Sequence, residues 1–179
     1  MALPKKVWEK GYVQVYTGNG KGKTTAGFGL ALRAVGAGFK VYIGQFVKGM
    51  DYIELKSFEA LKEQVTLRQL GTDHWVFGNP SADDLANAAA GLEEARREML
   101  SGKYKLVVLD EANVAVSLGL LKVEQMLELI DVKPEGVELV LTGRNAPEEI
   151  IERADLVTEM REIKHYYQKG VKARLGIEC

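Results

Sequence analysis

Cysteine is nearly missing from this 179-residue chain: Cys179, at the last position, is the only one. No intrachain disulfide can form, and a thiolate-held metal cluster is excluded. Histidine is almost as scarce, and His74 and His165 lack metal-ligand spacing, so surface or packing roles are expected of both. There is no uninterrupted apolar run of about 18 residues able to span a bilayer. The opening stretch, MALPKKVWEKG, has no apolar core of the length a signal peptide needs. Charge of one sign is missing too: 24 basic against 25 acidic residues give a net charge of -1, with no bulk field to steer the chain to nucleic acid or membranes. No linker, internal repeat or low-complexity stretch divides the chain. What remains is the profile of a soluble, cytoplasmic protein in a reducing compartment, long enough for one full α/β core and short for two.

What the sequence does have is T-G-N-G-K-G-K-T-T at Thr17–Thr25. An alternating apolar run (Tyr12, Val13, Val15, Tyr16) precedes it, and a helical pattern (Phe28, Leu30, Ala31, Ala34, Val35) follows. Strand, glycine-rich loop, then helix is the context of a phosphate-binding loop. Such a loop turns successive N–H groups around an anion, at the positive end of the following helix's dipole. Gly18, Asn19, Gly20, Lys21, Gly22, Lys23, Thr24 and Thr25 are therefore the expected nucleotide-binding set. Lys23 is expected to reach a phosphate oxygen, and the Thr24 hydroxyl to ligate Mg²⁺. Thr17 stands where such loops usually begin with glycine.

The rest of the chain reads as alternating strands and helices. Residues 1–10 form an irregular arm anchored by Trp8, and residues 11–179 one domain. Strands are expected at Gly11–Tyr16, Lys40–Phe46, Val65–Leu70, Lys105–Leu109, Val137–Leu141 and, as an edge, Asp155–Met160. Ser81 with Asp84 resembles a capping box, and Leu85, Ala89, Leu92 and Met99 mark one face of a long helix. Val123, Met126, Leu127 and Ile130 mark another, and Asn145 with Glu148 caps a last one, with Pro147 in its first turn. This order predicts a single-domain α/β fold of the P-loop NTPase, RecA-like kind, with a mostly parallel sheet flanked by helices.

Two further elements carry chemistry. Asp110 and Glu111 end a long apolar strand and so arrive at the carboxyl edge of the sheet, where ligands bind in such folds. Both are candidate Mg²⁺ ligands with Thr24, and Glu111 could instead orient a water or a ribose hydroxyl. Arg144, after another buried strand, should emerge at the same edge and contact a terminal phosphate; Lys48, after the second strand, has similar placement.

Beyond a generic ATPase, the chain resembles the ATP:corrinoid adenosyltransferase family of P-loop type. The resemblance rests on the glycine loop with its leading threonine, Q-F-V-K-G (Gln45–Gly49), V-V-L-D-E (Val107–Glu111), L-T-G-R (Leu141–Arg144) and the tail K-H-Y-Y-Q-K-G-V-K-A-R-L-G-I-E. It implies transfer of the 5′-deoxyadenosyl group of ATP to the cobalt(I) of a reduced corrinoid, with release of triphosphate. Lys23, Glu111 and Arg144 are the implied catalytic residues. In such an enzyme ATP is held in a reversed sense, so that C5′ and not the γ-phosphorus is exposed. The resemblance also implies an aromatic cover for the lower face of the corrinoid, for which Trp75 is the best match. The family often has phenylalanine where this chain has Asp73, with His74 beside it. A flavoprotein reductant and a homodimer are further expectations. Two other readings use the same loop: a small kinase or ATPase acting at the γ-phosphate, and a RecA-like nucleic-acid-dependent motor, which the near-neutral charge disfavours.

Overall fold

Residues 7–47, 53–71, 76 and 78–178 are described by the structure, a computed structural model; for 53–55 it gives the backbone alone. Six strands, β1 (Val13–Thr17), β2 (Val41–Gln45), β3 (Val65–Gln69), β4 (Leu106–Asp110), β5 (Glu138–Thr142) and β6 (Leu156–Glu159), form one sheet in the order β3-β2-β4-β5-β1-β6. Every pairing is parallel. β2 and β4 are buried at all five positions, as strands covered on both faces must be, and their apolar runs satisfy that demand. β6 is the exception, an edge strand exposed along its whole length.

Two helical layers cover the sheet. On one face lie α1 (Lys23–Gly36) and α2 (Ile53–Glu59), packed through Phe28, Ala31, Ala34 and Phe58 against Val41, Ile43, Val108 and Val140. On the other lie α3 (Ala82–Leu100), α4 (Ala112–Ser117), α5 (Val123–Asp131) and α6 (Glu148–Arg153), packed against Tyr42, Val107, Leu109, Leu139 and Leu141. Trp8 sets its ring edge-on to Phe39, 4.6 Å between centroids.

The sequence-based expectations need four local corrections. β1 begins two residues later and includes Thr17. The α3 face is rotated: Ser81 and Asp84 do form the capping box, but this turns Asp84 inward, and Ala88, Gly91, Leu92, Ala95 and Met99 are buried while Leu85 is exposed. α4 is an addition, because six residues carry too little periodicity to register in sequence. Asn145 does not cap α6; it takes a positive φ of 56°, and Pro147 is the N-cap residue, without a side-chain hydrogen bond.

α3 lies so close to the sheet that a Cβ at Gly91 would stand 2.7 Å from Leu70 Cβ and 2.9 Å from its carbonyl oxygen. Alanine at Gly91 would gain about 1 kcal/mol of helix propensity. The overlap should outweigh that gain, so Gly91→Ala is expected to lower stability by roughly 1–3 kcal/mol in urea unfolding. At Gly29, on α1, a Cβ would meet open space: among the described residues no atom beyond its chain neighbours and its own helix backbone lies within 4 Å. Gly29→Ala should therefore stabilise by roughly 0.5–1 kcal/mol in the same measurement.

Candidate active site

The glycine-rich loop hangs between the end of β1 and the start of α1. Gly18 and Gly22 turn it with φ of 92° and 117°, values that favour glycine. Gly20 is required for another reason: a Cβ there would lie 2.7 Å from the Met160 carbonyl oxygen, and its N–H donates to that oxygen at 2.6 Å. The loop motif alone predicts successive amides facing an anion; in this structure the Gly20 amide is committed to the chain leaving β6. Lys23 opens α1, whose first turn carries no acidic residue. The positive end of the helix dipole is thus not offset by a carboxylate in that turn, as suits an anion site.

Lys23 is buried and curls back over the loop, Nζ donating to the carbonyls of Gly18 (2.8 Å) and Gly20 (2.7 Å). Its pKa is pushed down, chiefly by desolvation and next by the like charge of Arg144, while Glu111 and Asp110 oppose the shift. The structure therefore brings Lys23, Asp110, Glu111 and Arg144 within electrostatic reach of one another. Asn19 and Thr25 are exposed on the loop and the first turn of α1, and Thr24 is half-buried between them.

At the carboxyl edge, β2, β4 and β5 each end in a polar residue on the α1 face: Gln45, Asp110 and Thr142, all wholly buried. Thr142 Oγ1 donates to Asp110 Oδ1 at 2.6 Å and accepts the Glu111 N–H at 3.0 Å. Gln45 Nε2 donates to Asp110 Oδ2 at 3.3 Å. The motifs contain Gln45 and Thr142 without marking a role for either; the signal that could have found them is a polar residue closing an apolar strand. Just past these ends stand the three non-glycine residues of positive φ among the described residues: Val47 (58°), Glu111 (57°) and Asn145 (56°). Backbone strain gathered at one sheet edge is typical of a functional site.

Glu111 caps α4 from this left-handed conformation, so its side chain leaves the chain differently from that of Asp110. Arg144 is exposed beyond β5. Thr17, in place of the usual glycine, accepts the Ala146 N–H through Oγ1 at 3.2 Å and so ties the loop's start to the arginine turn. Thr24, Asp110 and Glu111 supply only hard oxygen donors, and among the described residues no three acidic or histidine side chains form a metal cage. A cation accepting one or two carboxylates, with ligand and water oxygens completing its shell, fits this set.

Lys21 points the other way. Its Nζ donates to Glu178 Oε1 (2.7 Å), the Ile177 carbonyl (2.9 Å) and Tyr166 Oη (3.2 Å), so the C-terminal segment lies against the loop. Arg174 and the Tyr166 hydroxyl also donate to Glu178. Together they hold that carboxyl well below its usual range, Arg174 contributing most, then Lys21. His165 accepts the Tyr167 N–H through Nδ1 and so starts the 3-10 turn Tyr166–Lys169. Lys48 and Trp75, like His74 and Asp73, lie outside the described residues.

Comparison with known proteins agrees with this geometry. Residues 9–179 match the family described as ATP:corrinoid adenosyltransferase BtuR/CobO/CobP. A corrinoid adenosyltransferase of Sinorhizobium sp. is 39% identical over 180 residues, covering 97% of this chain and 82% of the relative. One from Pseudomonas aeruginosa is 37% identical (95% and 84% covered), and one from Escherichia coli K12 is 36% identical (95% and 86%). With a parallel α/β sheet, a glycine-rich loop before α1 and an acidic strand end already in place, these matches from arm to tail mean that the chain belongs to the ATP:corrinoid adenosyltransferase family.

Proposed function

We propose that the protein transfers the 5′-deoxyadenosyl group of ATP to the cobalt(I) of a reduced corrinoid, releasing triphosphate. The observation that carries this reading is the convergence of Lys23, Arg144, Asp110 and Glu111 at one sheet edge in a chain of this family. Cobalt(I) is the nucleophile: its electron pair forms the Co–C5′ bond as the C5′–O5′ bond breaks, and triphosphate takes the bonding electrons. The protein's task is to align the two reactants and to neutralise the leaving charge. Lys23 and the loop amides would hold the phosphates at the N-terminus of α1, with Arg144 reaching the same anion from β5. Asn19 and Thr25 complete the proposed nucleotide contacts, and Lys21 would join them on leaving Glu178. Thr24, Asp110 and Glu111 would hold Mg²⁺, which lowers the charge on the phosphate oxygens when bound.

We assign Trp75 to the lower face of the corrinoid and Lys48 to the ligand-facing edge, on sequence grounds. A homodimer, a cytoplasmic setting and a flavoprotein electron donor complete the reading. No helix among the described residues is long and apolar enough to cross a membrane. The C-terminal segment would act with the loop, because Glu178 neutralises Lys21 and Arg174 where nucleotide phosphates would otherwise compete for Lys21.

Mixing the protein with Mg-ATP and chemically reduced cobalamin should yield the adenosylcobalamin spectrum, with triphosphate and not ADP as the second product. Lys23→Ala should cut the rate by on the order of 10²–10³-fold, and Arg144→Ala by about 10–100-fold. ADP as product would replace this reading with a γ-phosphoryl transferase, and inertness toward complete and precursor corrinoids alike would remove it. This latch, Glu178 of the C-terminal segment on Lys21 of the loop, gives a pH prediction. Because the folded pKa of Glu178 is depressed, its contribution is present above the ordinary carboxylate pKa of about 4.3 and is lost as pH falls below it. Protection of amides 166–178 in hydrogen exchange should therefore weaken in acid, and Glu178→Gln should show the weakened pattern already at neutral pH.

A further inference from the structure

Gln45 closes β2, a strand otherwise made of Val41, Tyr42, Ile43 and Gly44. Parallel pairing sets it opposite Asp110. Alternation along β2 and β4 turns both side chains to the α1 face of the sheet. Gln45 is wholly buried, and its Nε2 donates to Asp110 Oδ2 at 3.3 Å. The orientation of the amide is chemically fixed, since the reverse would set a carbonyl oxygen against a carboxylate. Oε1 must then face away from that hydrogen bond, and among the described residues it has no hydrogen-bond partner. Folded proteins seldom leave such an acceptor unsatisfied without a functional reason. Packing does not call for a glutamine here either, because methionine or leucine would fill a comparable volume with no orphaned oxygen.

Asp110 makes sense of the arrangement. Thr142 holds one of its oxygens at 2.6 Å and Gln45 donates to the other, so the carboxylate's plane is fixed from two neighbouring strands. We propose that Gln45 is a positioning residue of the metal shell, fixing the Asp110 carboxylate through Nε2 and accepting through Oε1 a hydrogen bond from a water held by the divalent cation. This rests on the reading of the loop and Asp110 as a nucleotide–metal site. Groups around a metal's direct ligands orient them, and their loss typically weakens metal binding by about 10–100-fold.

The test uses the full chain and Mn²⁺ as the probe, its binding to the ATP-loaded protein followed by electron paramagnetic resonance. ATP binding in excess chelator is measured in parallel. Gln45→Met should weaken Mn²⁺ binding in the ATP complex by about 10–100-fold while metal-free ATP affinity stays within about twofold. Gln45→Asn, which keeps the amide but withdraws it by one methylene, should show a loss in the same direction, and it serves if the methionine variant does not fold. Unchanged Mn²⁺ binding in a folded variant overturns the proposal. So does a parallel fall in metal-free ATP affinity, which would mark a general structural role. If the wild-type protein binds ATP no better with Mn²⁺ than without, the nucleotide–metal reading itself fails and takes this inference with it.

Discussion

The hydrogen bond from Thr142 to Asp110, between residues 32 apart in sequence, is the contact on which the site depends. It joins the ends of β4 and β5, and it exists because β5 lies between β4 and the strand that delivers the phosphate loop. A carboxylate with no exposed surface is costly to bury unless donors surround it. Thr142 and Gln45 supply two, one from each neighbouring strand. In a parallel sheet all carboxyl ends lie on one edge, so this polar cluster forms beside the N-terminus of α1 rather than anywhere else. The same edge receives Lys23, whose charge is strained by burial and by Arg144 and relieved by the two acids.

The loop is shaped by what lies behind it. The chain leaving β6 presses against Gly18 and Gly20 closely enough to exclude a side chain at either position. From there it passes His165 and Tyr166 to Glu178, which meets Lys21. The loop is thus supported from the edge strand on one side and by Thr17, through Ala146, on the other. Such support would preorganise the proposed anion site, because preorganised donors stabilise charge without having to reorganise when it appears. Exposure of β6 along its length does not weaken this arrangement, since it is the residue after the strand, Met160, that meets the loop.

How much of this is legible in the sequence differs by residue. Val107 and Val108, between Leu106 and Leu109, mark a buried strand, and the glycine loop followed by Phe28, Ala31 and Ala34 marks its helix, because burial on two faces or one leaves a periodic trace. Asp110, Glu111 and Arg144 could be placed at one edge from strand order alone. Leu85 could not be placed correctly, because the rotation of a helix about its axis depends on its cap and on Leu70 beneath Gly91. α4 escaped because six residues span fewer than two turns, too few for a repeating apolar pattern.

By itself, the sequence determined the fold class, the glycine-rich loop after β1, the acidic strand end and, through its motifs, the family. These follow from local chemistry: backbone angles open to glycine, charge at a strand end, apolar spacing. Only the tertiary structure decided that Gly20 serves the chain after β6, that Lys21 belongs to the C-terminal latch, and that Gln45 and Thr142 flank Asp110. Each of those depends on which distant segments become neighbours, and strand order and register set that, not any spacing along the chain.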